Sequence, residues 1–281
     1  MRRLLPVLLL ALLSACAGQA PRPNGIAAAS QVVEIDDLAR VAPAVADNNG
    51  RRTLLVLDID DTLLTSAGFF GSDAWYEWQK TLPAGDPGKV ACLFDVISLN
   101  YEAGAQQATQ ANGPALVNPL MQRDALMLTS RNPLYRGGTL RTLRDAGYAL
   151  PTMLDGRDEG RIWRLRKTPQ ANPVPVSYDQ GVFMTTGQDK GLVLLDLLRR
   201  LGMSYQRVVL VDDGEKNIAA MQAALRDAGI DYLGLHYRRV DKRVDAEKAR
   251  QGREGWQAWQ GFLGGLYPQR LESIRQGKCA Y

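Results

Sequence analysis

The fold of this chain is set by the stretch LLVLDIDDTLL at residues 54–64. Its apolar half follows Arg51 and Arg52, and two carboxylates, Asp58 and Asp60, stand where that half ends. An unbroken apolar run of this length is typical of a strand buried on both faces of a parallel sheet. Ligands of open α/β sheets bind beyond the carboxyl ends of the strands. The stretch therefore predicts an α/β fold with a site at this end, although a strand that merely ends in an acidic turn has the same pattern.

A second apolar run, DALMLT at residues 124–129, ends in the hydroxyl of Thr129. Asn132 fits an N-cap and Pro133 the first helical position, and Gly147 fits the end of that helix. Thr129 would then lie at the end of a strand and beside a helix N-terminus, which favours an anion. A capping hydroxyl without a ligand is the alternative.

Two further elements carry charged residues. Lys190 stands in the first turn of an amphipathic helix, where a lysine opposes the helix dipole. This mismatch indicates another task, such as contact with a phosphate, although a surface lysine is common. The run RVVLVDDG at residues 207–214 predicts a third buried strand, and it ends in Asp212 and Asp213.

The order of these four elements resembles the haloacid dehalogenase superfamily over nearly all of the predicted core. The resemblance implies a Rossmann-like parallel sheet with helices on both faces. The core would comprise residues 31–64 and 117–281, and residues 65–116 would form a mostly helical cap insertion. Residues 151–186 predict a small β-rich excursion near the mouth of the site.

Within that superfamily the chain is similar to an uncharacterised bacterial lipoprotein family, the DUF2608 proteins. The similarity lies in the first motif, in the GSDAW motif at residues 71–75 and in GVFMTTGQDKG at residues 181–191. More distantly the chain resembles the class C acid phosphatases, which usually carry a glutamate where Asp61 stands.

The resemblance implies a role for each site residue. Asp58 would be the nucleophile that forms an aspartyl-phosphate, and Asp60 would protonate the leaving group and then activate water. Mg²⁺ would bind the carboxylates of Asp58 and Asp212 and the main-chain carbonyl of Asp60, with Asp213 nearby or acting through water.

The remaining motif residues, Thr129 and Lys190, would hold phosphate oxygens. The second aspartate, Asp60, argues for phosphoryl transfer, because the dehalogenases of this superfamily lack a carboxylate there. The predicted protein is therefore a Mg²⁺-dependent phosphomonoesterase that acts on a small phosphorylated substrate. The alternatives are a non-catalytic binding module of the cell envelope and a phosphotransferase with an acceptor other than water.

The N-terminus predicts export. Residues 1–15 combine two arginines, a short apolar run and small residues, as a signal peptide does. Cys16 completes a lipobox, so residues 16–30 would be a lipidated tether. An ordinary signal peptide followed by a chance cysteine is the alternative. Lipidation would anchor the protein to the membrane, and Ala17 favours the outer membrane with the domain facing the periplasm.

Composition is consistent with one α/β domain that carries an insertion, since the 281 residues are 46% hydrophobic and 23% charged. The formal charge is +4, and removal of Arg2 and Arg3 would leave 32 basic residues against 30 acidic ones. Such a near balance does not indicate nucleic-acid binding. The sequence does not identify a protein partner.

Several features remain open. Cys92 and Cys279 would either form a disulfide or stay as thiols. The aromatic residues of 75–78 favour a small core over substrate stacking. The single histidine, His236, favours a structural role over a substrate contact.

Residues 31–46 predict a weak amphipathic helix. From residue 238 onward the charged residues predict a solvated helix face, and the aromatic ones (Trp256, Trp259, Phe262 and Tyr267) are expected to pack on the core.

Overall fold

The computed structural model describes residues 28–122, 124–152 and 160–280. The predicted signal peptide, Cys16 and the tether up to residue 27 lie outside the described residues. Among the helices that the structure does describe, none is both long and apolar enough to cross a membrane.

A central sheet of eight strands confirms the predicted α/β fold class. The strands run in the order β1-β10-β9-β2-β5-β8-β7-β6. The first six strands in this order are parallel to one another. Strand β7 pairs antiparallel with β8, and β6 pairs antiparallel with β7. Strands β6 and β7 form the predicted β-rich excursion. The bounds are β1 Ser30–Ile35, β2 Thr53–Leu57, β5 Ala125–Thr129, β6 Arg161–Leu165, β7 Val174–Asp179, β8 Val182–Met184, β9 Arg207–Asp212 and β10 Asp231–Tyr237.

Helices cover both faces of this sheet. One face carries α1 Val41–Ala46, α4 Gly113–Val117 and α5 Arg136–Asp145, and the other carries α6 Lys190–Leu201 and α7 Glu215–Asp227. The helices α2 Asp73–Thr81, α3 Leu93–Ala103, α8 Ala246–Leu266 and α9 Pro268–Arg275 contribute to a separate apolar cluster. A separate antiparallel pair consists of β3 Leu64–Ser66 and β4 Gln106–Ala108.

Strand β2 shows why the sheet has two apolar faces. Leu55 and Leu57 belong to one core cluster, together with residues of α1, α4 and α5. Leu54 and Val56 belong to another cluster, with residues of α6 and α7. Since successive side chains of a strand point to opposite faces, one apolar run fills both layers.

The predicted helix at residues 31–46 is wrong in its first half. Ser30–Ile35 forms β1, which pairs in parallel with β10 at the sheet edge, and only Val41–Ala46 is α-helical. The segment contains Val32, Val33 and Ile35, whose branched side chains suit a strand. Its pairing partner lies about 200 residues later, so the local pattern could not reveal it.

The insertion after Leu64 contains two helices. Ser72 caps α2, because its Oγ accepts a hydrogen bond from the Trp75 amide at 3.0 Å. The segment from Gly88 to Gln110 contains one helix, α3, followed by strand β4. The pairing of β3 with β4 makes a short flap beside the end of β2.

A third apolar cluster joins this insertion to the C-terminal helices. Trp75 of α2 is fully buried in it and packs with Trp256 of α8, which confirms the core interpretation for both residues. The expectation is wrong for Phe262 and Tyr267, which are 50% and 57% exposed. The division of the chain into core and cap stays a prediction, and α8 and α9 pack on the insertion.

The two remaining cysteines form a disulfide. Cys92 precedes α3 and Cys279 lies in the C-terminal tail, with their Cα atoms 5.2 Å apart. Asp95 supports the same junction, since it pairs with Arg270 of α9 and accepts a hydrogen bond from the Ala280 amide. The tail is therefore tied to the insertion by both a covalent and an ionic contact.

Candidate active site

Lys190 lies at the centre of the site. Its Nζ is 2.7 Å from Asp58 Oδ1 and 2.7 Å from Asp212 Oδ2, and its side chain is 1% exposed. Burial alone would lower the pKa of Lys190, but Asp212 and Asp58 raise it above its usual value. The structure thus brings three predicted site residues together around one buried positive charge.

The local sequence explains why Lys190 points inward. Asp189 is the N-cap of α6, and its carboxylate accepts a hydrogen bond from the Leu192 amide at 3.0 Å. The cap compensates the helix N-terminus, where a lysine is unfavourable. The lysine side chain is then free to meet the carboxylates at the ends of β2 and β9.

Asp58, Asp212 and Asp213 form an acidic cluster in which one carboxylate oxygen from each residue lies within 4.8 Å of the other two. Burial raises the pKa of Asp58 well above its usual range, and Asp212 adds to this. Burial also raises the pKa of Asp213 to about 6, against the opposing charge of Lys242. Asp212 is fixed by hydrogen bonds from the Gly214 amide at 2.8 Å and from Asn217 Nδ2 at 3.0 Å.

The charge of the site fits a divalent cation. Three cations (Arg131, Lys190 and Lys242) face six carboxylates (Asp58, Asp60, Asp61, Asp73, Asp212 and Asp213), which leaves three negative charges if all are ionised. Asp213 Oδ2 is buried and accepts no well-aligned hydrogen bond, although Lys242 Nζ lies 2.5 Å away. A buried excess of carboxylate oxygens is costly without a cation, and such a donor set suits a hard ion.

The carboxylate of Asp60 takes no part in that cluster and turns toward β5. Thr129 Oγ1 donates to Asp60 Oδ2 at 3.4 Å and accepts a hydrogen bond from the Arg131 amide at 3.1 Å. The helical turn that follows is capped by Asn132, as predicted, since Asn132 Oδ1 accepts from the Leu134 amide at 3.0 Å. The hydroxyl of Thr129 is therefore beside Asp60 rather than on the helix cap.

Arg131 was missed in the sequence. Its guanidinium donates from Nε to Asp60 Oδ2 at 3.0 Å and from Nη2 to Asp60 Oδ1 at 2.7 Å. It also bonds Thr139 and Gln106 and lies 4.0 Å over the ring of Tyr101. Burial would raise the pKa of Asp60, yet Arg131 holds it below its usual value. In the sequence, Arg131 stands out only by its position two residues after Thr129. The direction of its side chain follows from the fold.

Lys242 is a second missed residue, since it falls in the charge run that predicted a solvated face. Its Nζ lies 2.6 Å from Asp73 Oδ2, 2.5 Å from Asp213 Oδ2 and 3.3 Å from Asp61 Oδ2. The three acids come from α2, from the end of β9 and from the end of β2. Lys242 therefore connects the insertion to the acidic cluster from the loop before α8.

His236 has the structural role that the sequence favoured. Its ring is buried, and Nε2 donates to the main-chain carbonyl of Asp213 at 3.0 Å. Among the described residues, His236 does not line the cavity at the site. It steadies the backbone that carries Asp213.

A family profile described as "Protein of unknown function (DUF2608)" matches residues 34–264. This is most of the chain. The chain belongs to the DUF2608 family. The description of the family assigns no activity, so the chemistry has to be argued from the contacts above.

This DUF2608 protein is also similar to a solved structure, the class C acid phosphatase from Bacillus anthracis. The two chains are 13% identical over 78% of this chain and 84% of that chain, with a TM-score of 0.36. A score this low leaves the fold to be judged from the strand order itself. Comparison with curated proteins gives no significant match.

Proposed function

We propose that this protein is a Mg²⁺-dependent phosphomonoesterase that works through an aspartyl-phosphate on Asp58. The observation that carries the proposal is the buried Lys190 ammonium, 2.7 Å from both Asp58 and Asp212. A carboxylate nucleophile beside a fixed cation, at the carboxyl end of a parallel sheet, suits attack on an anionic phosphate. Lysine side chains are almost never fully buried unless they are paired.

Different residues of the chain act in the two steps of the reaction. Asp58 attacks phosphorus as the bond to the leaving oxygen breaks. Lys190 Nζ and Thr129 Oγ1 hold the transferred oxygens. Water then attacks the phosphoryl group as the bond between phosphorus and the Asp58 oxygen breaks, and Asp60 accepts the proton of that water. This step releases phosphate and restores the Asp58 carboxylate.

Asp60 is prepared for this second step, because its ion pair with Arg131 favours the carboxylate form. Protonation of the leaving group, the first task of Asp60, is opposed by the same pair. Substrates with acidic leaving groups depend least on that proton, so they suit a first assay.

Asp58, Asp212 and Asp213 would hold the Mg²⁺ ion, together with the Asp60 carbonyl. When bound, the ion supplies positive charge that lowers the pKa of the buried acids and attracts the phosphate. Lys242 would keep Asp213 in place through its ion pair.

The direct test is hydrolysis of p-nitrophenyl phosphate by the full-length protein, with Mg²⁺ and with a chelator. Asp58→Asn should abolish turnover. Asp196→Asn is the matched control, because Asp196 pairs with Arg199 and Arg200 on α6. Turnover that survives Asp58→Asn would exclude Asp58 as nucleophile. Absence of both turnover and Mg²⁺ binding would favour the non-catalytic module.

The proposed setting is the bacterial envelope, with a lipid on Cys16 and the domain facing the periplasm from the outer membrane. The Cys92–Cys279 disulfide supports an oxidising compartment. The substrate would then be a small phosphoester present there. Cys16→Ser should move the protein from the membrane fraction to the soluble fraction, and an unchanged distribution would exclude the anchor.

A further inference from the structure

A large cavity begins at the proposed general base. Its volume is about 440 Å³, and both Asp60 and Arg131 line it. This is roughly the space of fifteen water molecules at about 30 Å³ each. The cavity is therefore much larger than a phosphate needs, and it has room for a sizeable leaving group.

The walls of this cavity are largely apolar. One wall consists of Phe94, Ile97 and Tyr101 from α3. Tyr135 packs against Tyr101 with ring centroids 5.2 Å apart, and Val174 and the following proline of β7 also line the cavity. Rings and aliphatic side chains in the lining favour a flat or bulky apolar group.

Several polar side chains on the walls already have partners within the protein. Ser72 Oγ accepts from the Trp75 amide and donates to the Phe69 carbonyl. Thr65 Oγ1 donates to Asp61 at 2.8 Å, and Thr186 Oγ1 donates to the Pro175 carbonyl at 2.5 Å. At these three hydroxyls a polyol would have to compete with bonds already made, and each buried group left unpaired costs free energy.

The acidic corner of the cavity is only partly neutralised. Asp61 and Asp73 line it, and they share the single Lys242 with Asp213. One cation thus meets three carboxylates, so the corner keeps negative charge when they are ionised and does not favour an anionic leaving group.

The apolar lining reaches the surface of the protein at one residue. Phe94 lines the cavity and is 49% exposed. The apolar wall formed by α3 therefore continues to the outside at Phe94.

We propose that the substrate's leaving group is apolar and ring-sized, so that the substrate is a phosphate monoester of a hydrophobic alcohol or phenol rather than of a polyol. This inference rests on the proposed phosphatase activity at the same site. The phosphate lies at Asp58 and Lys190, and the ring lies in the cavity against Phe94, Ile97 and Tyr101 of α3. Phe94 is then a specificity-determining residue.

Affinity for two phosphonates tests the cavity without any chemistry. Calorimetry on the full-length protein with Mg²⁺ should find 2-phenylethylphosphonate bound at least about tenfold more tightly than 2-hydroxyethylphosphonate, as burial of a ring implies. Phe94→Ala should reduce this preference severalfold. Phe262→Ala is the matched control, since Phe262 is 50% exposed on α8 and should leave the preference unchanged.

Turnover of the two corresponding phosphate esters separates the two proposals. Both are primary alkyl esters, so their leaving-group chemistry is closely similar. Equal binding of the phosphonates, or tighter binding of the hydroxyl compound, would overturn the apolar specificity even if both esters are hydrolysed. The expected preference in binding with no turnover of either ester would instead overturn the phosphatase proposal and keep the apolar cavity.

Discussion

Arg131 determines the state of the second aspartate. It contacts both oxygens of Asp60, and its other donors reach Thr139 and Gln106. The guanidinium thus links the end of β2 to the flap strand β4 and to α5. One buried side chain fixes both the charge and the direction of Asp60.

Replacement of Arg131 by methionine should raise the pKa of Asp60, because burial then acts without the opposing cation. Asp60 serves as a base only when it is ionised, and this form is lost as pH falls through its pKa. The acidic limb of the profile of kcat/KM against pH should therefore move to higher pH in Arg131→Met. Activity at neutral pH should fall by about 10²-fold or more.

The conservative variant Arg131→Lys controls for charge. Lysine keeps the positive charge but cannot form the bidentate contact with both oxygens of Asp60. This variant should therefore restore part of the wild-type pH profile. A Met variant whose acidic limb coincides with that of the wild type would show that Arg131 does not act on Asp60.

Helix α2 carries Asp73 to the site, and its start is set by one hydroxyl. Ser72→Ala removes the cap that the Trp75 amide requires, so it should lower the free energy of unfolding by about 1 kcal/mol. Urea denaturation followed by circular dichroism measures this change. Ser72→Asp should recover most of the loss, because aspartate also caps. A loss that Asp does not recover would assign the effect to the cavity wall instead.

Elements decided by local patterns could be predicted from the sequence, and those decided by distant contacts could not. The strands β2 and β9 and the Asn132 cap follow from apolar runs and capping residues. Strand β1 was misread because its partner β10 lies about 200 residues away. The position of Lys190 was predicted, whereas Lys242 required knowledge of how the loop before α8 returns to the sheet.

The whole molecule is closed by contacts between the insertion and the C-terminus. The cluster of Trp75 and Trp256 and the Cys92–Cys279 disulfide join segments that lie far apart in the chain. The helices that face the site from the insertion therefore depend on the last residues of the protein.

The disulfide should contribute measurably to stability, since it joins two cysteines that are separated by 187 positions in the sequence. Cys279→Ser should lower the free energy of unfolding by about 2–4 kcal/mol. A reducing agent should weaken the wild type to the same level and leave the variant unchanged. Equal stability of oxidised wild type and variant in denaturant titrations would contradict a clamping role.

Stability of the metal-free protein should depend on Asp213. Its pKa rises from an ordinary 3.8 to about 6 on folding, so the folded chain binds the extra proton between these values. The contribution of Asp213 to stability is present below about pH 4 and is lost as pH rises through about 6, by an amount on the order of 1–3 kcal/mol.

Mg²⁺ should reverse that loss, because it favours the ionised acids. At a concentration 100 times its Kd it would add about 2.7 kcal/mol at neutral pH. Thermal unfolding at several pH values, with and without Mg²⁺, measures both effects. Asp213→Asn should flatten the metal-free pH dependence and weaken the response to Mg²⁺. A variant with the wild-type dependence would remove Asp213 from the site.

The most direct measurement is to trap the covalent intermediate. The protein is mixed with p-nitrophenyl phosphate and Mg²⁺, quenched in acid within the first turnover, digested and analysed by mass spectrometry. The mechanism predicts a phosphate adduct on the peptide that contains Asp58, and its absence in Asp58→Asn. Rapid turnover with no adduct, or with an adduct on another residue, would contradict nucleophilic catalysis by Asp58.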